Sequence, residues 1–361
     1  MKIQNLAIVA SLALAGAAQA QNAPVFSLGW SEYPSWSAFG VAEEMGLING
    51  EEGQMGSLER KWNVDITLAQ VDYDTCMTLY GSGDLDFVCL VAGDALIPAQ
   101  SIPSTIVLPT SNSYGADALV VDKSITSFDD LRNHTVYGFD ASVQQYTFTQ
   151  GLAAQGEDAD DYDWANSPPE TTAQKLSSGE IQAGMLWNPY LLQTLNTNPN
   201  LRVMFDSTLI ENQIIDSVVA TNSALEREGG DRAAACIANA FYAVTERMTD
   251  SDIDVQDDTY IALGERFSNL GVGDMRTVCR QTRFFSNPDE SILFMAGRDI
   301  PSTPAVENLS VIMQTVTKWA EEYDVVENVP NIGINGNPIN GSAGLDLDFD
   351  PQYITLYLSK N

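Results

Sequence analysis

The chain contains one histidine, His134, and that limits its chemistry. A zinc site of several histidines is impossible, and a Ser/His or Cys/His pair would have a single candidate base. His134 sits beside Asn133 in a predicted turn, where a surface position is expected. The sequence has no nucleophile elbow, P-loop or dinucleotide-binding glycine pattern, and Gly271-Val272-Gly273 is too short to count. Asp346, Asp348 and Asp350 alternate as calcium ligands can, but the turn glycine and distal glutamate of a helix-loop-helix site are missing. Solvated carboxylates are the expectation there. No catalytic residue, metal or cofactor is therefore expected.

Four cysteines remain as reactive groups. Cys76, Cys89, Cys236 and Cys279 are even in number and form no CxxC, which in an oxidising compartment suggests two structural disulfides. Three pairings are possible. Cys76 lies on a predicted helix and Cys89 on the strand that follows, so those two can meet by local packing and leave Cys236 to Cys279; buried free thiols are the alternative.

The elements that would position a binding site show a faint internal repeat. Ser82-Gly83-Asp84-Leu85-Asp86-Phe87-Val88-Cys89-Leu90 and Ser178-Gly179-Glu180-Ile181-Gln182-Ala183-Gly184-Met185-Leu186 each close a helix at glycine and open an apolar strand. Short apolar runs of this kind read as buried strands of a parallel sheet. Each is followed by a loop, Ala92-Gly93-Asp94 or Trp187-Asn188-Pro189. Open parallel sheets bind ligands at the carboxyl ends of their strands, so both loops are candidate site positions. Val25 to Trp30 reads as the first strand and Ser37 to Met45 as the first helix. Thr105 to Leu108 and Ala118 to Val121 read as strands flanking a crossing between lobes, and Ile214 to Ala220 as the return crossing. Asp231 to Met248 and Pro304 to Tyr323 read as long helices, and Asn331 to Asp350 as loop.

Composition narrows the setting. Lys2, the apolar stretch Leu6 to Ala17 and Ala18-Gln19-Ala20 form a secretory signal cleaved after about Ala20. The stretch is too short to span a bilayer, no twin arginine precedes it, and no cysteine follows to carry a lipid. A soluble periplasmic protein without a lipid anchor is expected. Asp and Glu number 49 against 17 Lys and Arg, a formal charge of −32. Such a surplus repels nucleic acid and anionic lipid. The rest of the chain is too long for one ordinary core, so two lobes are expected.

Gly29-Trp30-Ser31-Glu32-Tyr33-Pro34-Ser35-Trp36, followed by a helix ending Glu44-Met45-Gly46-Leu47-Ile48, resembles the start of the nitrate, sulfonate, bicarbonate and taurine group of ABC transporter substrate-binding proteins, to which thiamine-pyrimidine-precursor receptors are related. Gly81 to Asp86, Phe128-Asp129-Asp130-Leu131 with Val136-Tyr137-Gly138, and Trp187-Asn188-Pro189 extend the likeness to about Tyr323. The resemblance implies an α/β, two-lobed periplasmic binding protein of type II, each lobe a mostly parallel sheet flanked by helices, with two crossing strands. Lobe one would comprise residues 21–112 and 220–330, lobe two 113–219, and the tail 331–361 would be rich in loop. An ABC permease in the inner membrane is the implied partner, and a monomer is expected. Carried over residue by residue, the cleft would be lined by Trp30, Glu32, Tyr33, Trp36 and Asp94, with Ser111, Ser113 and Tyr114 at the hinge. Asp140, Ser142, Val143, Trp187, Asn188 and the return-strand Asp216 would complete it. Core packing is the competing account of the aromatics, and solvation or helix capping that of the acids. The chain departs from the group where Ala92-Gly93 precedes Asp94, a place where many members carry a side-chain amide.

These loops contain acids and aromatics but no Arg or Lys. A cationic or neutral nitrogen-rich solute, such as an amine, a urea- or guanidine-like compound or a pyrimidine, is therefore favoured over nitrate or a sulfonate. Two other functions fit the same architecture. One is a ligand-loaded sensor for a chemoreceptor or kinase. The other is a thiamine-pyrimidine synthase-like enzyme, which needs several histidines and a reactive lysine.

Overall fold

The computed structural model describes residues 23–267, 270–300, 308–341 and 344–360; the expected signal segment and its cleavage point lie outside these residues, as does the start of the predicted helix at Pro304. The strands, in chain order, are β1 (Val25–Trp30), β2 (Asp65–Gln70), β3 (Phe87–Val91), β4 (Ser104–Ser113), β5 (Asp117–Asp122), β6 (Val136–Gly138) and β7 (Trp164–Asn166). They continue with β8 (Ala183–Trp187), β9 (Leu201–Asp206), β10 (Ile215–Thr221), β11 (Thr282–Phe284), β12 (Ile332–Ile334), β13 (Asn337–Pro338) and β14 (Leu347–Phe349). Two sheets result. The larger runs β13-β12-β14-β4-β10-β3-β1-β2, with β11 also on β4, and the smaller runs β7-β6-β8-β5-β9.

The repeat seen in the sequence is a repeat of structure. Gly83 and Gly179 both adopt positive φ, 82° and 76°, at the ends of the helices Tyr73–Gly81 and Pro169–Ser178. In both, the acidic residue that follows, Asp84 or Glu180, donates its N–H back to a carbonyl of the last helical turn. Glycine takes this left-handed conformation without steric cost, so the chain turns sharply into β3 or β8. All five residues of each strand are buried, as expected for strands covered on both faces.

The sheets are mixed. β3 pairs parallel with β1 but antiparallel with β10, and β8 pairs parallel with β6 but antiparallel with β5. The chain leaves the larger sheet at the end of β4 and enters the smaller at β5; it returns between β9 and β10. β10 is hydrogen-bonded into the larger sheet along its length, against β3 and β4. The larger core joins residues of β1, β3 and β10 to those of the helix Gly230–Met248, which lies on β4 and on the helix Ser37–Glu44 and buries Ala234, Ile237, Phe241 and Val244.

Two expectations need correction. The tail from Asn331 to Asp350 is not all loop, because β12, β13 and β14 extend the larger sheet and β14 pairs parallel with β4 at Ser104 to Ile106. Its aspartates serve turns: Asp346 accepts from the Asn331 backbone N–H at 2.7 Å, Asp348 from Gly336, and Asp350 from Gln352. Cys76, Cys89, Cys236 and Cys279 are all unpaired. Cys76 and Cys89 are neighbours, as local packing required, while Cys236 lies by Glu59 and Lys61 and Cys279 by Arg276 and Arg280. The second expected pair thus occupies two different surroundings.

Candidate ligand-binding site

Loops at strand ends meet where the two sheets face each other. The loop after β1 supplies Ser31, Glu32, Tyr33 and Trp36, and the loop after β2 leads into Tyr73 at the start of its helix. The smaller sheet supplies Asp117 at the first position of β5 and Trp187 at the last of β8, and β10 supplies Asp216. A narrow inner chamber lies between them.

Four rings wall this chamber. Tyr33 and Trp36 are 4.8 Å apart between centroids, Trp36 stacks on Tyr73 at 5.7 Å and 4°, and Trp187 meets Tyr73 edge-on at 5.7 Å. Trp187 comes from the other lobe, so the last contact crosses the cleft. Val91, Val143 and Ile214 add apolar surface.

Between and behind the rings stand three buried carboxyls. Asp216 is 1 % exposed, Asp117 2 % and Asp94 4 %. Tyr73 Oη donates to Asp94 at 2.7 Å and accepts from the Val91 backbone N–H at 3.2 Å. Ser111 Oγ donates to Asp216 at 2.5 Å, and Ser113 sits beside Asp117. Burial pushes Asp94 up to about 7, despite the hydrogen bond from Tyr73 and the backbone N–H of Val143. Burial likewise lifts Asp117 to about 7, against the pull of Ser113, and raises Asp216 well above the usual carboxylate range. Asp117 Oδ2 and Trp36 Nε1 are buried with no hydrogen-bond partner, and Tyr33 Oη has Asp216 and Thr282 near it without a well-formed bond. Buried polar atoms are normally paired, so orphans lining a cavity mark where a ligand's polar atoms would go.

Ser31, Tyr73 and Trp187 also border an outer chamber that opens to solvent. Glu32, Asp72, Asp74 and Glu170 line it. No Lys or Arg lines either chamber among the described residues.

Of the residues named from sequence, Tyr33, Trp36, Val143, Trp187 and Asp216 line the inner chamber and Glu32 the outer, and Asp94 lies just behind Tyr73. The others do not line either. Trp30 packs into the core against Gly40, because β1 alternates its side chains and Trp30 points to the helix side. Ser111 and Ser113 act one layer back, on Asp216, Ser207 and Asp117. Tyr114 is covered by Arg283, 3.3 Å from its ring centre. Asp140 is exposed and accepts from Trp164 Nε1; Ser142 caps the helix Val143–Ala154; Asn188 is buried and donates to Gln281 Oε1. His134 is half-buried in a bend.

Sequence reading missed Tyr73 and Asp117, together with the outer acids Asp72, Asp74 and Glu170. A signal existed for the first group, since Asp72-Tyr73-Asp74 follows the carboxyl end of β2 as Asp94 follows β3. Asp117 had none, because it opens a strand.

No family model and no curated relative matches the chain in sequence. The periplasmic sulfonate-binding protein of a putative sulfonate ABC transporter from Methylobacillus flagellatus aligns over 94 % of this chain and 95 % of its own, with a TM-score of 0.64 and 14 % identity. The fold is that of the periplasmic binding proteins. The aliphatic sulphonate binding protein of Escherichia coli matches over 85 % of this chain and 94 % of its own at TM-score 0.61 and 15 % identity. A ligand-binding component of an ABC-type import system from Staphylococcus aureus covers 94 % and 99 % at TM-score 0.63 and 10 % identity. These neighbours are binding proteins. No helix of the described residues is long and apolar enough to cross a membrane.

Proposed function

We propose that this chain is the periplasmic solute receptor of an ABC-type importer, and that its two lobes close on a small cationic or neutral nitrogen-rich solute for delivery to an inner-membrane permease. The observation that carries this reading is the inner chamber, where three buried carboxyls and four aromatic rings converge without a basic side chain. A buried anion needs donors, and the chamber offers the lone Trp36 Nε1 and the N-terminus of the helix Val143–Ala154. Asp94 already faces that terminus from the opposite lobe, through the Val143 N–H. An anionic solute would compete with a fixed carboxylate and sit beside two more. A cation gains from each of these acids as it gives up its proton, and an aromatic face adds about 0.5 to 2 kcal/mol when the charge is desolvated.

Titration calorimetry of the purified protein with guanidine, urea, a thiamine-type pyrimidine, taurine and nitrate tests this directly. Binding of a nitrogen base, with a rise in melting temperature as mass action requires, is the expected result. Binding of nitrate or taurine alone would overturn the charge assignment and keep the receptor role; no binding across a broad solute screen would count against the role itself.

A further inference from the structure

The inner and outer chambers are neighbours with a shared wall, and each carries its own acids. Ser31, Tyr73 and Trp187 border both. The outer acids Glu32, Asp72, Asp74 and Glu170 are near enough to one another that all four act on Tyr190, which borders the same chamber. They come from both sides of the cleft: Glu32 and Asp72 from loops of the larger sheet and Asp74 from the helix that follows β2, Glu170 from the helix after β7 in the smaller. The inner acids are divided in the same way, Asp94 and Asp216 on one side and Asp117 on the other.

A local account explains part of this. Asp74 and Glu170 occupy the first turns of their helices and Asp72 an N-cap position, where acids favour the helix dipole. That account predicts acids on each lobe separately. It gives no reason for the two sets to oppose each other across the cleft, where closing the lobes brings like charges together at two depths. Such repulsion disfavours an empty closed state; the inner acids relieve theirs by holding protons, as their burial-raised acidity shows, whereas the more exposed outer acids are relieved by positive charge entering there, and a cation at each depth relieves both sets.

We infer, building on the cationic reading above, that the ligand is an extended dication, an α,ω-diamine or short polyamine. One ammonium would lie in the inner chamber by Asp117 and Asp216, where Asp117 Oδ2 is an unpaired acceptor. The methylene chain runs past the rings of Tyr73 and Trp187, and the second ammonium lies among the outer acids.

Calorimetric titration with 1,4-diaminobutane, 1,5-diaminopentane and n-butylamine at low and high salt provides the test. A diamine should bind at least tenfold more tightly than butylamine, and the ratio should shrink as salt screens the more exposed outer site. Glu32→Gln combined with Glu170→Gln should narrow the diamine-to-monoamine ratio, whereas Asp117→Asn should weaken both ligands together. Glu170 is exposed, so Glu170→Gln alone serves if the double variant folds poorly. Equal affinity for diamine and monoamine, with the ratio unmoved by the outer variants, would overturn the dication and leave the cationic reading standing. If no amine binds while nitrate or taurine does, both fail.

Discussion

Replacing Asp117 by Asn should make the protein more stable at high pH than at low pH relative to the wild type, while weakening ligand binding. Asp117 is 2 % exposed, and burial lifts its carboxyl from 3.8 to about 7. An acid whose folded value is raised binds its proton more tightly in the native state, so its contribution is fully present below about pH 4 and is lost as pH rises through about 7. With 1.36 kcal/mol per pH unit, the full loss is about 4 kcal/mol, of which about 2.5 falls between pH 5 and pH 8. Asn cannot ionise and should remove that component. The new amide nitrogen is itself a buried donor costing about 1 to 3 kcal/mol, but this cost does not change with pH and cancels when the two pH values are compared. Urea unfolding of the ligand-free protein at both pH values gives the quantity needed. The Asn variant should lose about 2.5 kcal/mol less than the wild type between pH 5 and pH 8. Equal pH dependence in the two proteins would refute the reasoning, since it would mean that Asp117 ionises in the folded state as it does in water. Affinity supplies a second arm: cation binding to the wild type should strengthen as pH rises through 7 and release protons, detectable as a heat that varies with the ionisation enthalpy of the buffer.

Tyr73→Phe should destabilise the protein by about 1 to 3 kcal/mol in urea unfolding, because Asp94 loses the hydrogen bond it receives at 2.7 Å and the Val91 N–H loses its acceptor. The same change should weaken cation binding most below pH 7, where Asp94 has lost a group that favours its ionised form; an unchanged affinity at pH 6 would contradict the role given to that pair. The thiols give a further check. Burial pushes Cys76 and Cys279 up to about 12 and Cys89 and Cys236 well above the ordinary thiol range, so the native protein should resist alkylation and the unfolded, unreduced chain should take four labels. A peptide joining Cys76 to Cys89 would show instead that these neighbours oxidise on export.

Local interactions made much of this protein legible without a structure. The two glycine-terminated helices and the apolar strands after them rest on short-range rules: a left-handed turn favours glycine, and a five-residue apolar run must be buried. Gly83, Gly179, β3 and β8 appear where those rules put them. Charge was equally plain, because a cleft cannot gain basic groups that its loops do not contain. The tail was misread, since Gly, Asn and Asp describe its turns while β12 to β14 are held by pairing to β4, more than two hundred residues away.

The tertiary structure alone decided which side chains share a cavity. Trp30 and Tyr33 are three residues apart and equally aromatic, yet the alternation of β1 sends Trp30 to the core and the loop after it turns Tyr33 inward. Asp117 opens a strand and carries no local mark of a site; it becomes one because β5 begins at the point where the chain crosses between sheets, opposite Asp216. Ser111 and Ser113 belong to the site only through the acids they support. Even the altered acidity of those acids is a property of the assembled protein, since a carboxyl resists ionising only after two lobes have removed its water.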